Sequence, residues 1–187
     1  MPSAKLIQRG IDGEKIHVAT NGVDLSNFAM QAKDPELLRE LGLEGKFVAG
    51  YVGTHGLAHA LETLLDAAAM LKQTAEAQDV RILFLGDGAR KTELVTNAKE
   101  RGLDNVLFLD SVPKAQVVRY WSLLDVSVIH LRKTELFGSV IPSKLFECMG
   151  WAFRCCMVLR VESAKIVERE RVARFLSQKM RGNWSLA

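Results

Sequence analysis

Cysteine is scarce in this 187-residue chain: Cys148, Cys155 and Cys156 are the whole set, and two of them are adjacent. Three such residues make no disulfide framework, and vicinal cysteines bridge only with strain, so a reducing cytosol is the default and a redox centre is disfavoured. Aromatics are few, at 7% of residues, and the basic residues are scattered among them, which argues against a nucleic-acid partner. No apolar run approaches the roughly 18 residues of a membrane span, and no N-terminal segment reads as a signal peptide. Histidines at positions 55 and 59 stand four apart but lack a third ligand and an HExxH frame, so no metal site is expected. What remains is ordinary globular material: 48% hydrophobic and 25% charged residues, with a mean hydropathy of +0.05. That length is enough for one large domain with a real core. The net charge of +3 and pI of 8.8 allow a weak attraction to anionic lipid or phosphate.

The chain alternates strand and helix signals. "EKIHVATNGV" reads as a short strand ending in the Asn21-Gly22 turn pair. "DPELLRELGL" has a helix start at Asp34-Pro35 and a glycine stop at Gly42. "KFVAGYVG" and "VRILFLGDG" are apolar strands closed by glycines, and "NVLFLD" and "DVSVIHL" are two more. Between them, Leu61, Leu64, Leu65, Ala68 and Leu71 recur at helical spacing, predicting a long amphipathic helix from about Leu57 to Ala77. Residues 89 to 101 predict the next helix, Pro113 opens another running to Leu124, and Pro142 or Ser143 begins a third. Near-continuous apolar strands alternating with amphipathic helices imply an α/β fold with a doubly wound, Rossmann-like parallel sheet covered on both faces. Ligands in such folds lie beyond the carboxyl ends of the strands. That rule selects Gly53 to Leu57, Gly86 to Ala89, and Leu131 to Ser143.

Each loop has a chemical reading and a plain one. In "GYVGTHGLAHALETLL", amides near Thr54 to Leu57, including Gly56, can converge on an anion, with a helix N-terminus behind them and Thr54 and His55 as side-chain donors. The plain reading is a tight strand-to-helix turn. In "PSKLFE", which opens at Pro142, Ser143 can cap a helix while Lys144 meets phosphate oxygens. Glu147, one turn on, can accept two hydrogen bonds from a vicinal diol such as a ribose. Phosphate donors followed by a diol acceptor fit a nucleoside diphosphate. Alternatively, Lys144 and Glu147 pair with each other at i, i+3 on a solvated face. Gly86 and Gly88 of "GDG" form a turn first and a nucleotide contact second.

In their order and spacing, "KIHVATNGVDLSNF", "GYVGTH", "LFLGDG", "NVLFLDSVPKAQVVRYWSLLDVSVIHL" and "IPSKLFECMG" resemble the donor-binding, C-terminal half of a GT-B glycosyltransferase of the family 4 type. "GTHGLAHALETLL" and "VIPSKLFE" are most similar to bacterial enzymes that transfer deoxy-aminosugars such as N-acetylfucosamine in surface polysaccharide assembly. The resemblance covers roughly residues 1 to 150. It implies one half of a GT-B fold, with the N-terminal acceptor domain expected before Met1. It also implies a UDP-linked nucleotide-sugar as substrate rather than a bound cofactor, no metal, retention at the anomeric carbon, and a lipid-linked or saccharide acceptor. The setting it implies is cytoplasmic, at the inner face of the membrane. By the same resemblance, Gly53, Thr54, His55, Gly56, Gly86, Gly88, Pro142, Ser143, Lys144 and Glu147 bind the donor. This chain alone is expected to bind nucleotide weakly and to catalyse nothing detectable.

Two departures from the family pattern stand out. The arginine and lysine that many members carry in the first glycine loop are replaced by Thr54, His55 and Ala58, and Lys144 is a substitute for that charge. The first of the family's two glutamates falls at Ser139, while Glu147 matches the second. A GT-B sugar-nucleotide 2-epimerase and a non-catalytic nucleotide-binding α/β module are alternative readings. A receiver domain fits less well, because no strand end carries an acidic cluster.

Residues 151 to 187 lose the family pattern. Trp151, Arg154 and Arg160 stand where relatives have a glycine turn and an apolar strand. Written in suitable codons and read one base out of register, the segment from Gly150 onward gives "MGIPVLHGVAG", and the final seventeen residues give "GGAVFEPENAGELVAG". Residues 151 to 160 and 171 to 187 are therefore expected to be out-of-frame sequence. Charge in a buried sheet is unfavourable, so the tail is expected to be poorly packed, or helical from Glu162 to about Lys179 with a basic, solvated face.

Overall fold

The computed structural model describes residues 2–17, 19, 21–26, 28, 30–132, 134, 141–151, 154–157 and 173–175. Six strands form one parallel sheet: β1 (Phe47–Val52), β2 (Val80–Leu85), β3 (Val106–Leu109), β4 (Val126–Ile129), β5 (Arg154–Met157) and β6 (Ala173–Phe175). Their spatial order is β3-β2-β1-β4-β5-β6. Every described pairing is parallel, with Tyr51 opposite Phe84 and Gly50 opposite both Leu83 and Ser127. The chain winds outward from β1 to β3, then returns to β4 on the other side of β1. That reversal is the switch point at which open α/β sheets form a ligand crevice.

Period-two alternation in the central strands feeds two cores. Val48 and Val52 of β1, with Leu83 and Leu85 of β2, face Leu37, Trp121, Leu124 and Leu145. Tyr51, Ile82 and Phe84 face the opposite layer of Leu61, Leu65, Ala68 and Leu94. The helices covering these faces are α2 (Pro35–Glu40), α3 (Glu62–Lys72), α4 (Lys91–Glu100), α5 (Lys114–Trp121) and α6 (Ser143–Gly150), preceded by a seven-residue α1 (Pro2–Gln8). Asp34 caps α2 as its residue type suggests, its carboxylate accepting from the amides of Glu36 and Leu37.

Four expectations need correction. The strand expected in "EKIHVATNGV" does not form among the described residues: Gly13–Lys15 is a 3-10 turn, with no ladder following it. The long helix from Leu57 is interrupted. Leu57–His59 is a 3-10 turn, Ala60 takes the left-handed conformation (φ 44°), and α3 starts at Glu62 and ends at Lys72. Apolar periodicity runs through that break because Leu61 and Leu64 are buried on either side of the α3 start. Ser143 is the first residue of α6 and makes no capping hydrogen bond, Pro142 occupying the cap position. Finally, the backbone of Arg154–Met157 enters the sheet beside β4, and Ala173–Phe175 adds a strand instead of a helix. Ladder bonds satisfy the backbone at that edge regardless of the side chains. Trp151 also belongs to the core, 1% exposed and stacked on Trp121 with ring centroids 6.4 Å apart. Ser139 and most of the tail lie outside the described residues.

Candidate functional site

The loop after β1 is tied down from several directions. Gly53 donates to Leu85 O at 2.8 Å, and the His55 amide donates to Asp87 O at 2.8 Å. His55 O accepts from Arg90 N at 2.9 Å. The Tyr51 hydroxyl donates to Thr54 O at 2.9 Å. These contacts draw the two glycine loops together. Gly86 (φ 143°) is buried under Gly53, where a Cβ would overlap Gly53 O. Gly88 (φ 153°) lies against His55, where a Cβ would come 2.6 Å from the carbonyl oxygen. Both positions demand glycine for conformation and for room. Their role in this arrangement is close loop packing.

The loop after β4 grips the same turn from the other side. His130 Nδ1 lies 2.6 Å from His59 O; a carbonyl oxygen can only accept, so Nδ1 carries a proton and donates it there. Arg132 N donates to Ala58 O at 2.7 Å, and the Arg132 guanidinium reaches Glu62 at 3.0 Å. Neither His130 nor Arg132 was among the expected donor ligands, although Arg132 lies in the loop that the strand-end rule selected. The signal for them was a histidine and an arginine closing an apolar strand.

The expected donors divide accordingly. His55 is fully buried among Tyr51, Phe84 and Phe108, with ring centroids 6.0 to 6.4 Å away. Among the described residues neither of its ring nitrogens has a hydrogen-bond partner. Burial first, and then the Lys91 charge, push its pKa down to about 4. The neutral ring points inward, so the loop presents other groups to solvent. No described hydrogen bond uses the amides of Thr54, Gly56 or Leu57. Thr54 and Leu57 are exposed. The α-helix that was expected to back these amides begins only at Glu62.

Lys144 and Glu147 lie on the first turns of α6. The Lys144 side chain crosses the α-carbon of Gly53, filling the space a Cβ would occupy. Its ammonium stands 5.5 Å from the centre of the Tyr51 ring. Among the described residues no ion pair joins Lys144 to Glu147, and no side chain or carbonyl accepts a hydrogen bond from Lys144. Both groups are half-buried. Burial pulls the Lys144 pKa down, offset in part by Glu147; burial pushes Glu147 up, offset by Lys144 and Lys114. A cation and a carboxylate that are partly desolvated and not paired with each other leave both free for a ligand with an anionic end and a hydroxylic end. Pro142 and Ser143 precede them at the mouth, Ser143 exposed. Among the described residues no cluster of three or more His, Cys, Asp or Glu is placed to hold a metal. No helix among them is long and apolar enough to cross a membrane.

A doubly wound sheet whose switch point collects two glycine loops, an ammonium and a nearby carboxylate defines a Rossmann-like domain with a polar crevice at the carboxyl ends of its strands. Residues 33–142 match the family described as glycosyl transferases group 1, and the chain belongs to that family. It is 25% identical over 137 residues to TuaH of Bacillus subtilis (strain 168), named as a teichuronic acid biosynthesis glycosyltransferase, covering 73% of this chain and 32% of TuaH. Its fold is shared with Anabaena Alr3699/HepE, whose structure contains UDP and glucose: TM-score 0.70, 20% identity, 94% of this chain and 46% of that one. The C-terminal domain of the group 1 glycosyl transferase LpcC from Francisella tularensis also matches, with TM-score 0.58, 18% identity, and 80% and 86% coverage. The chain thus spans about a third of TuaH and under half of HepE.

Proposed function

We propose that this domain holds the nucleoside diphosphate of a UDP-sugar donor for a glycosyltransferase of surface polysaccharide assembly. In this reading the diphosphate sits over Gly53, facing the free amides of Thr54, Gly56 and Leu57, and Lys144 neutralises it. Glu147 accepts from the ribose hydroxyls. The observation that carries the reading is Lys144: a half-buried ammonium at the carboxyl end of β1 with no carboxylate or carbonyl partner among the described residues. It is supported by UDP in the HepE structure and by the polysaccharide assignment in the name of TuaH.

In sugar transfer, the bond from the anomeric carbon to the diphosphate breaks and negative charge accumulates on the leaving diphosphate. A fixed ammonium and fixed amides favour that charge without reorganising, which is the form of stabilisation that lowers a barrier. The acceptor is a lipid-linked or saccharide hydroxyl, held by a separate acceptor domain in the full transferase. Deoxy-aminosugar specificity and work at the inner membrane face are part of the same proposal. Calorimetric titration tests it. The chain is expected to bind UDP saturably, and Lys144→Ala to weaken UDP about tenfold or more while leaving uridine unchanged. Equal UDP affinity in the variant and the parent sinks the reading.

A further inference from the structure

Tyr51 is not among the residues assigned to the donor, yet it contacts both the Thr54 loop and the Lys144 ammonium that are. It lies in β1, 1% exposed, whereas the strand's other aromatic residue, Phe47, is 44% exposed. Its hydroxyl holds Thr54 O, and the same peptide's His55 N–H is held by Asp87 O, so the peptide between Thr54 and His55 is fixed at both ends. Its ring meets His55 at 6.0 Å, His59 at 5.8 Å and Phe84 at 6.3 Å. Lys144 Nζ lies 5.5 Å from its centre, within the reach of a cation–π attraction. Among the described residues no hydrogen bond or ion pair holds the ammonium, and Glu147 attracts it without pairing with it.

We infer that Tyr51 is the positioning residue for the donor diphosphate, its face setting the Lys144 ammonium and its hydroxyl setting the Thr54 loop. The inference rests on the donor reading above. Without a carboxylate, a flexible four-carbon side chain needs some other restraint to stay at the crevice. An aromatic face supplies one while leaving all three N–H donors free, since it attracts the charge without accepting a conventional hydrogen bond. A carboxylate in that place would compete with the diphosphate. The hydroxyl adds the second half of the device by keeping the Thr54 carbonyl turned away from the anion.

The test is UDP and uridine titration of the 187-residue chain and of Tyr51→Leu and Tyr51→Phe, alone and combined with Lys144→Ala. Tyr51→Leu removes both contacts and is expected to weaken UDP about tenfold. Tyr51→Phe removes only the hydroxyl tie and is expected to weaken it about threefold. Uridine affinity stays at the parent value in both. In the Lys144→Ala background, Tyr51→Leu is expected to lose only the threefold factor from the hydroxyl. Should Tyr51→Leu fail to fold, Tyr51→Phe carries the test through its loss confined to UDP. Parent-like UDP binding by the variants overturns the inference alone, and equal loss for UDP and uridine overturns it too by marking the effect as structural. A parent chain that binds no UDP overturns the donor reading and this inference with it.

Discussion

Acid should loosen this domain through His55. The residue is 0% exposed, with both ring nitrogens lacking a partner among the described residues, in a pocket walled by Tyr51, Phe84 and Phe108. Its pKa falls from 6.5 to about 4 on folding, burial being the largest cause. The folded state therefore resists a proton that the unfolded chain accepts, and stability drops as pH falls through the window between those two values. Linkage sets the slope at about 1.4 kcal/mol per pH unit once the unfolded histidine is mostly protonated. From pH 7 to pH 5 the loss attributable to His55 is about 2 kcal/mol. Burial also lowers the pKa of His59 and of His130, which acts in the same direction, so the difference between parent and His55→Phe isolates the one ring. Phenylalanine fits an aromatic pocket and leaves no nitrogen unpaired. The variant should already gain about 1 kcal/mol at pH 7, and the gap should widen by about 2 kcal/mol at pH 5. Urea unfolding followed by tryptophan fluorescence measures both, since Trp121 and Trp151 are buried. A gap that stays constant between pH 7 and pH 5 would refute the buried, neutral assignment of His55.

Three further outcomes follow from the packing. Gly88→Ala places a methyl 2.6 Å from His55 O on a backbone at φ 153°, and should cost about 2 to 3 kcal/mol in urea unfolding, with UDP affinity falling as the first loop shifts. Trp151→Ala empties a site stacked on Trp121 and should cost about 3 to 5 kcal/mol, whereas a Trp151 outside the core would cost almost nothing. Sequencing the coding DNA from the codon of Ser139 onward should find a one-base alternative frame that encodes "MGIPVLHGVAG" and then "FEPENAGEL"; an alternative frame with neither segment contradicts the out-of-frame proposal for residues 151 to 160 and 171 to 187.

Much of the fold was legible because it rests on short-range pattern. Four of the parallel strands announce themselves as apolar runs closed by Gly53, Gly86, Asp110 and His130, and Asp34-Pro35 marks α2 by local chemistry alone. The loops at strand carboxyl ends were therefore identifiable in advance. What escaped was set by contacts between distant segments. The break after Leu57 depends on Arg132 and His130 gripping Ala58 and His59, about 70 residues away in sequence, and helical periodicity gave no sign of it. His55 read as a donor because nothing local reveals that its ring turns toward Phe84 and Phe108. Lys144 stood out in the sequence as a candidate phosphate ligand, but its seat was not legible: only the structure places it across Gly53 and beside Tyr51. The strand at Arg154–Met157 runs against its residue types, being specified by the open edge of β4.

The central claim is that a nucleoside diphosphate binds where β1 reverses to β4, on Lys144. Amide chemical-shift mapping of the isotope-labelled chain with UDP tests it most directly. The account predicts saturable shifts at Gly53, Thr54, Gly56, Leu57, Lys144 and Glu147, with those at Gly53 to Leu57 strongly reduced when uridine replaces UDP. Shifts confined elsewhere, such as the groove beside Lys33, Asp34 and Arg119 on the α2 side, or no saturable shifts at all, would contradict it.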